Sequence, residues 1–243
     1  MKETRYFYCP DINSMNLSPE EAAHAVRVLR LQPGDTINLT DGKGNIYEAE
    51  IQSTTSKTCS FTIKSQIEQP RTWKGEIEIG VAPTKMTNRM EFFAEKATEI
   101  GIDRITFLNC QFSERKTINT QHISKVVISA VKQSHKAFVP KVEDITDFHS
   151  FIQQNFDGMK FIAHCYEEEA LWPNGKEFLW DVLQQHPQNS ALVLIGPEGD
   201  FSIPEVTAAI SAGFRPVSLG KSRLRTETAA LNSVFMMNLN NRI

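Results

Sequence analysis

The chain has 243 residues, 40% of them hydrophobic and 23% charged, with a formal net charge of −3. That length suits one large domain or two smaller ones with an ample core, and no apolar run approaches the ~20 residues that cross a bilayer. The first ten residues lack a secretion-signal core, and Cys9, Cys59, Cys110 and Cys165 are scattered with no C-x-x-C pair, so the expectation is a cytoplasmic protein with reduced, buried thiols rather than an exported disulfide scaffold.

Residues 1 to about 71 read as β-rich. Arg5–Tyr8 is a short strand and Thr36–Thr40 alternates like a half-buried one; Asp41-Gly42-Lys43-Gly44 forms a turn, and Ile46–Gln52 returns as its hairpin partner. Thr58–Lys64 alternates again. One helix interrupts the strands, with Ser18 as N-cap, Pro19 at the first helical position and Glu21 completing a capping box; Pro33-Gly34 ends it. Several short strands with one helix predict a small barrel-like module.

From Glu76 strands and helices alternate. Ile77–Ala82 is a strand, and Asn88 caps a helix that buries Met90, Phe93, Ala97 and Ile100 and stops at Gly101. Ile105–Leu108 is a strand. Gln121–Phe138 is a helix with an apolar stripe of Ile123, Val126, Val127, Ala130 and Val131. Phe161–His164 and Ala191–Ile195 read as buried strands. Ser202 with Glu205 caps a helix ended by Gly213, Val217–Leu219 is a strand, and Thr226 caps the last helix. This alternation predicts an α/β domain with a mainly parallel sheet, so the chain divides into domains at 1–72 and 73–243. Trp73, Trp172, Trp180 and the pair Phe92-Phe93 read as packing residues, and His24 as structural. Between Thr84 and Lys141 ten Lys and Arg face five acids, a locally basic stretch that suits structured RNA although the whole protein is acidic.

Two loops after buried strands carry candidate chemistry. Ile195-Gly196-Pro197-Glu198-Gly199-Asp200 has glycines that let a ligand approach the backbone, at a place where open α/β sheets bind ligands; a plain tight turn would have the same residues. It is no phosphate cradle, since G-x-x-x-x-G-K-[ST] and G-x-G-x-x-G are both missing. The second loop, Leu219-Gly220-Lys221-Ser222-Arg223-Leu224-Arg225, delivers a cluster of cations to a helix start, where the helix dipole disfavours them; a position poor for stability points to function, unless Glu227 merely neutralises it. The six histidines show no metal-ligand spacing, and the dinucleotide fingerprint is missing, which excludes a metal hydrolase and a nicotinamide dehydrogenase.

Ile195–Gly199, Leu219-Gly220 and Leu224-Arg225-Thr226-Glu227-Thr228-Ala229 together resemble the signature of the RsmE family of SPOUT methyltransferases. The resemblance continues through Lys85, Glu95–Gly101, Ser113-Glu114-Arg115 and Lys132-Gln133-Ser134, and through His24, Val28–Arg30, Gly34-Asp35 and Asp41–Gly44 of a PUA-like module. It covers nearly the whole chain in order. Three departures stand out: Asp200 replaces the usual glycine, Lys221-Ser222-Arg223 replaces a P-R-I run, and Lys136 stands where an arginine is common.

The resemblance implies a SPOUT-type α/β trefoil-knot domain preceded by a small PUA-like β-barrel domain, and methylation of uridine N3 in 16S ribosomal RNA by S-adenosyl-L-methionine. It implies that Ile195, Gly196, Pro197, Glu198, Gly199, Leu219, Gly220, Leu224, Thr226 and Ala229 hold the cofactor. Arg225 is expected to stabilise the uracil anion, with Glu198 and Glu227 as candidate bases, either of which could instead anchor the cofactor or pair with Arg225. Arg27, Arg30, Lys85, Arg89, Arg115, Lys116, Lys132 and Lys136 are expected to hold RNA, as part of the small ribosomal subunit. A homodimer is implied; no metal and no membrane are. The rivals are a SPOUT enzyme with a transfer-RNA target and an idle RNA-binding factor that kept the fold.

Overall fold

The computed structural model describes residues 5–55, 57–167, 175–187 and 189–242, so Trp172 lies outside the described residues. It divides into two compact units, one of residues 1–71 with 128–139, the other of 72–127 with 140–243.

The smaller unit is built on a four-stranded sheet in the order β1 (Tyr6–Tyr8), β2 (Thr36–Thr40), β3 (Asn45–Thr54), β4 (Cys59–Glu68). Strand β1 runs parallel to β2, and the other two pairs are antiparallel. Alternation does what period two requires: Ile37 and Leu39 of β2 and Ala49 and Ile51 of β3 point to a core shared with Phe7 and Phe61. The β2–β3 turn is made by Asp41, whose carboxylate accepts the Lys43 N–H at 2.7 Å and the Asn45 N–H at 3.2 Å, while Gly42 and Gly44 take the positive φ the turn demands. Strand β4 runs four residues past the expected end.

Helix α1 (Pro19–Ala23) begins as expected, with the Ser18 hydroxyl accepting the Glu21 N–H. The capping box is not closed. Glu21 turns its carboxylate to the Lys132 ammonium at 2.6 Å instead, because a buried carboxylate gains more from a cation than from one N–H. After α1 the chain continues as a π-helical turn over His24–Val28.

The larger unit holds a seven-stranded sheet in which every pair is parallel. It comprises β5 (Ile77–Val81), β6 (Arg104–Asn109), β7 (Lys141–Asp147), β8 (Met159–Ala163), β9 (Glu177–Phe178), β10 (Ala191–Ile195) and β11 (Arg215–Ser218). Their order across the sheet is β7-β6-β5-β10-β8-β11-β9, so β10 is inserted between two strands that precede it in sequence. Both β5 and β10 are buried at every residue; β10 is apolar throughout, whereas β5 carries Glu78, whose carboxylate accepts the Thr106 hydroxyl at 2.9 Å and lies 3.5 Å from the Arg104 guanidinium. The helices are α2 (Thr87–Ile100), α3 (Thr120–Gln133), whose residues from 128 on belong to the smaller unit, α4 (Phe148–Ile152), α5 (Leu179–Gln184), α6 (Ile203–Ser211) and α7 (Thr226–Asn241). Helix α7 packs on α2, β5 and β10, while α4 and α6 pack together, α6 over β8 and α4 over β6 and β7.

Several expectations change. Strands β7 and β9 and helices α4 and α5 went unread: β9, α4 and α5 are too short to show a period, and β7, a seven-residue edge strand, is partly exposed along its length with no clean alternation. Helix α2 begins at Thr87 with Met86 as N-cap, so Asn88 sits inside its first turn. Helix α3 ends at Gln133, not Phe138: His135 turns left-handed at φ 55 and the Lys136 N–H reaches back to the Val131 carbonyl, a Schellman-type stop. Phe93 is fully buried, but Phe92 is 49% exposed and no core residue. Trp73 is buried with its indole N–H on Asp103 at 2.9 Å, and Trp180 is partly exposed. Three cysteines are buried as expected, whereas Cys165 is exposed.

Candidate active site

The carboxyl ends of β8, β10 and β11, neighbours in the sheet, open into one groove with two compartments. The first, of about 750 Å³, is walled by Ala163, Ile195 and Val217 at the strand ends, by His164–Glu167, and by the loop Ser218–Leu224. Its size is in the range of small-molecule sites. The second, of about 320 Å³, is lined by Gly196, Pro197, Glu198, Asp200, Arg225, Thr226 and Arg89. Ala163, Cys165, Ile195, Arg223, Leu224 and Ala229 border both, so a ligand in one faces a ligand in the other.

Each loop is held by specific bonds. Thr226 is the first residue of α7 rather than its N-cap, which is Arg225; its hydroxyl donates to the Gly196 carbonyl at 3.1 Å and so ties the two signature loops together. Asn232 of α7 donates to the Leu219 carbonyl at 3.3 Å. Gly220 takes φ 118, a conformation that side-chain-bearing residues rarely adopt. Behind the loop after β10, Glu205 closes a true capping box with Ser202 and also accepts the Gln111 N–H at 2.7 Å. Glu198 accepts the Lys85 N–H at 2.9 Å, and the Arg115 guanidinium donates twice to the Lys85 carbonyl, so the loops after β5, β6 and β10 form one hydrogen-bonded assembly.

Asp200, at φ 68, is one of four described non-glycine residues with positive φ. Its carboxylate accepts the Cys165 N–H at 2.7 Å and the Phe201 N–H at 2.8 Å, clasping the loop after β8 to the loop after β10. Two effects therefore oppose one another: left-handed strain of about 1 kcal/mol, against two charge-assisted bonds worth somewhat more. Asp200→Ala keeps the strain and loses the bonds, whereas Asp200→Gly loses both. Denaturant melts are expected to rank wild type above Asp200→Gly, and Asp200→Gly above Asp200→Ala by about 1 kcal/mol; an alanine variant as stable as the glycine one would contradict the balance.

His164, at the end of β8, is 7% exposed. Burial, and then the Lys176 ammonium that donates to its carbonyl, push its pKa down to about 4, so the ring is neutral at neutral pH. Burial and the neighbouring Asp200 carboxylate raise the Cys165 thiol, leaving it protonated there as well.

Of the residues expected to hold a cofactor, Ile195, Leu219, Gly220, Leu224 and Ala229 line the first compartment; Gly196, Pro197, Glu198 and Thr226 line the second, which Ile195, Leu224 and Ala229 also reach. Gly199 lines neither, since it sits against Phe112. Arg225 and Glu198 face the second compartment, and Glu227 lies behind it, 8% exposed. Among the residues expected to hold RNA, Arg89 lines that same compartment; Lys85 reaches Glu114 at 3.0 Å and Lys116 is exposed. In the small unit Arg27 and Arg30 are exposed, Lys132 is paired with Glu21, and burial lowers the pKa of Lys136. The sequence reading missed Ala163, His164, Cys165, Val217 and Ser218 as lining residues. No local signal marks them, because they face the groove only through the order of strands.

Residues 71–238 match the model of an RNA methyltransferase domain, and residues 17–64 that of an RNA methyltransferase PUA domain. A crystal structure described as a probable rRNA-methyltransferase from Porphyromonas gingivalis is 39% identical, with 98% of each chain covered and a TM-score of 0.88. The ribosomal RNA small subunit methyltransferase E of Neisseria gonorrhoeae, bound to S-adenosyl methionine, is 26% identical over 98% of each chain at a TM-score of 0.84. Among curated proteins, the ribosomal RNA small subunit methyltransferase E of Rickettsia conorii is 25% identical over 93% of this chain and 90% of its own length.

Proposed function

The chain belongs to the RNA methyltransferase family whose catalytic domain accompanies a PUA domain, and on that footing we propose that it methylates N3 of a uridine in small-subunit (16S) ribosomal RNA, with S-adenosylmethionine as donor. The observation that carries this reading is the pair of adjoining compartments. One is large enough for the cofactor and walled by apolar strand ends, the residues after β8 and the loop Ser218–Leu224; the other is small and lined by three guanidiniums and two carboxylates.

The walls of the larger compartment fit the cofactor. Gly220 leaves open space where a side chain would stand, and Leu219 and Leu224 offer apolar surface beside backbone carbonyls and N–H groups. Bound there, S-adenosylmethionine supplies an electrophilic methyl group on a sulfonium and leaves as the neutral thioether. The uridine imide must lose its N3 proton, and the nitrogen lone pair then forms the new C–N bond as the C–S bond breaks. Arg225 stabilises the negative charge that spreads onto the uracil carbonyls. One Glu198 oxygen accepts the Lys85 N–H and holds the loop, and the residue faces the second compartment as a candidate base.

On this reading the small unit grips the RNA with the exposed Arg27 and Arg30, and the target base is extruded into the second compartment. The substrate is the small subunit or its precursor, in the cytoplasm. The chain between β10 and α7 is threaded as a trefoil knot. The protein is a homodimer, supported by Phe92 on α2 and by Phe235 and Leu239 on α7, which are 41–54% exposed on two helices that pack together; a monomeric mass in light scattering would count against it.

The test is methyl transfer from labelled S-adenosylmethionine to undermethylated small subunits, with nucleoside analysis of the product. N3-methyluridine is expected. Another methylated nucleoside overturns the base assignment, and cofactor binding without transfer overturns the enzymatic reading.

A further inference from the structure

Arg89 belongs to the basic stretch that sequence reasoning assigns to phosphate binding, but its position is different. It lines the second compartment with Arg225, from the first turn of α2. Its Nε lies 3.8 Å from Oε1 of Glu227, and the Glu227 side chain is only 10% exposed. A carboxylate buried that deeply needs a cation, so Glu227 fixes where the guanidinium stands. Oε2 of Glu227 has no hydrogen-bond partner among the described residues, which leaves Arg89 as the carboxylate's electrostatic partner.

The field in this compartment follows from who is already engaged. The groups facing it are Arg89 from α2, Glu198 and Asp200 from the loop after β10, Arg223 and Arg225 from the loop after β11, and Cys165 from the loop after β8, with Glu227 of α7 behind Arg89. Both facing carboxylates accept backbone N–H groups. The Cys165 thiol is neutral at neutral pH. Three guanidiniums face the pocket against these two carboxylates, so the balance of charge facing a base there is positive.

We infer that Arg89 is a second guanidinium for the reaction itself: it faces the uracil together with Arg225, lowers the cost of removing the N3 proton and shares the negative charge on a carbonyl oxygen, while Glu227 is the positioning residue that holds it there. This rests on the proposed uridine chemistry. The proton leaves to solvent or to a base in the RNA–protein complex, and the methyl transfer is otherwise unchanged. A guanidinium suits the task because it stays charged at every working pH and donates along two edges, so that Nε can serve Glu227 while the terminal nitrogens serve the base.

The inference is tested by single-turnover methylation of undermethylated small subunits at saturating cofactor, from pH 6.5 to 9.5, for the full-length wild type, Arg89→Met, Arg89→Lys and Glu227→Gln. Cofactor and RNA affinities are measured for each. Arg89→Met is expected to slow N3-methyluridine formation about 30- to 100-fold at pH 7, as removal of an anion-stabilising donor does, with both affinities within about 3-fold of wild type. Its rate should go on rising with pH after the wild type has levelled, because the imide must then ionise unaided. Glu227→Gln should show the same change of pH profile at about a tenfold loss, and Arg89→Lys should recover part of the rate. A phosphate contact would instead weaken RNA binding tenfold or more and leave the saturated rate intact, which overturns the inference. So does a rate deficit that is the same at every pH, the mark of a merely structural role. Wild type that makes no N3-methyluridine brings down the underlying reading as well; active wild type beside a fully active Arg89→Met brings down this inference alone.

Discussion

Arg225→Ala is expected to lose about 10²- to 10³-fold in the rate of N3-methyluridine formation while the protein melts no lower than wild type. The two halves of that result have one cause. Arg225 is the exposed N-cap residue of α7, its side chain makes no capping bond, and a cation there opposes the helix dipole. Removing it costs the fold nothing that the geometry records. The same side chain borders the small compartment, where the proposed chemistry places negative charge on the uracil. Cofactor affinity should remain within about 3-fold, since that is set mainly by Leu219, Gly220 and Leu224 in the larger compartment, whereas transition-state charge is stabilised separately. Labelled-methyl transfer, thermal melts and cofactor titration check the three parts. Turnover within a few-fold of wild type would remove Arg225 from the mechanism.

Glu205→Ala should act the other way round, through the fold first. Glu205 is 3% exposed; its Oε2 accepts the N–H of Ser202 at 2.8 Å and the Ser202 hydroxyl at 2.9 Å, and its Oε1 accepts the Gln111 N–H at 2.7 Å. Truncation strands the buried Ser202 donors and breaks the tie between the loops after β6 and β10. Losing a charged acceptor and a helix cap together costs about 3–4 kcal/mol, or about 10 °C in melting temperature for a unit of this size. The loop that starts at Gly196 ends on this cap, so cofactor affinity should weaken with stability. Cofactor at about 100 times its dissociation constant should return about 2.7 kcal/mol, raising the variant's melting temperature accordingly. Glu205→Gln, which keeps one acceptor, should sit between the two. A melting temperature for Glu205→Ala within about 2 °C of wild type would show that the cap and tie are dispensable.

The elements legible in the sequence are those whose local physics is strong. The Ser202–Glu205 capping box, the Gly101 stop, the Asp41–Gly44 turn and the buried strands β5 and β10 all follow from residues near one another in the chain. The family was legible as well, because Ile195–Gly199 and Leu224–Ala229 sit in fixed order along the sequence, and the match to an RNA methyltransferase domain agrees. Local patterns misled where a distant partner outbid a near one. Glu21 has the spacing of a capping box but answers Lys132, and Thr226 has the chemistry of an N-cap but answers Gly196.

Sequence by itself therefore determined the class of fold, the two signature loops and the residues with the right chemistry in them. Only tertiary structure decided which of those residues share a compartment. The insertion of β10 between β5 and β8 brings Cys165 to Asp200 and sets the ends of β8, β10 and β11 side by side. The packing of α7 on α2 turns Arg89 from one more cation in a basic stretch into the partner of Glu227. Short-range propensities reach a few residues along the chain, whereas strand order and helix packing join residues more than a hundred positions apart, and a catalytic pocket is made of the second kind of neighbour.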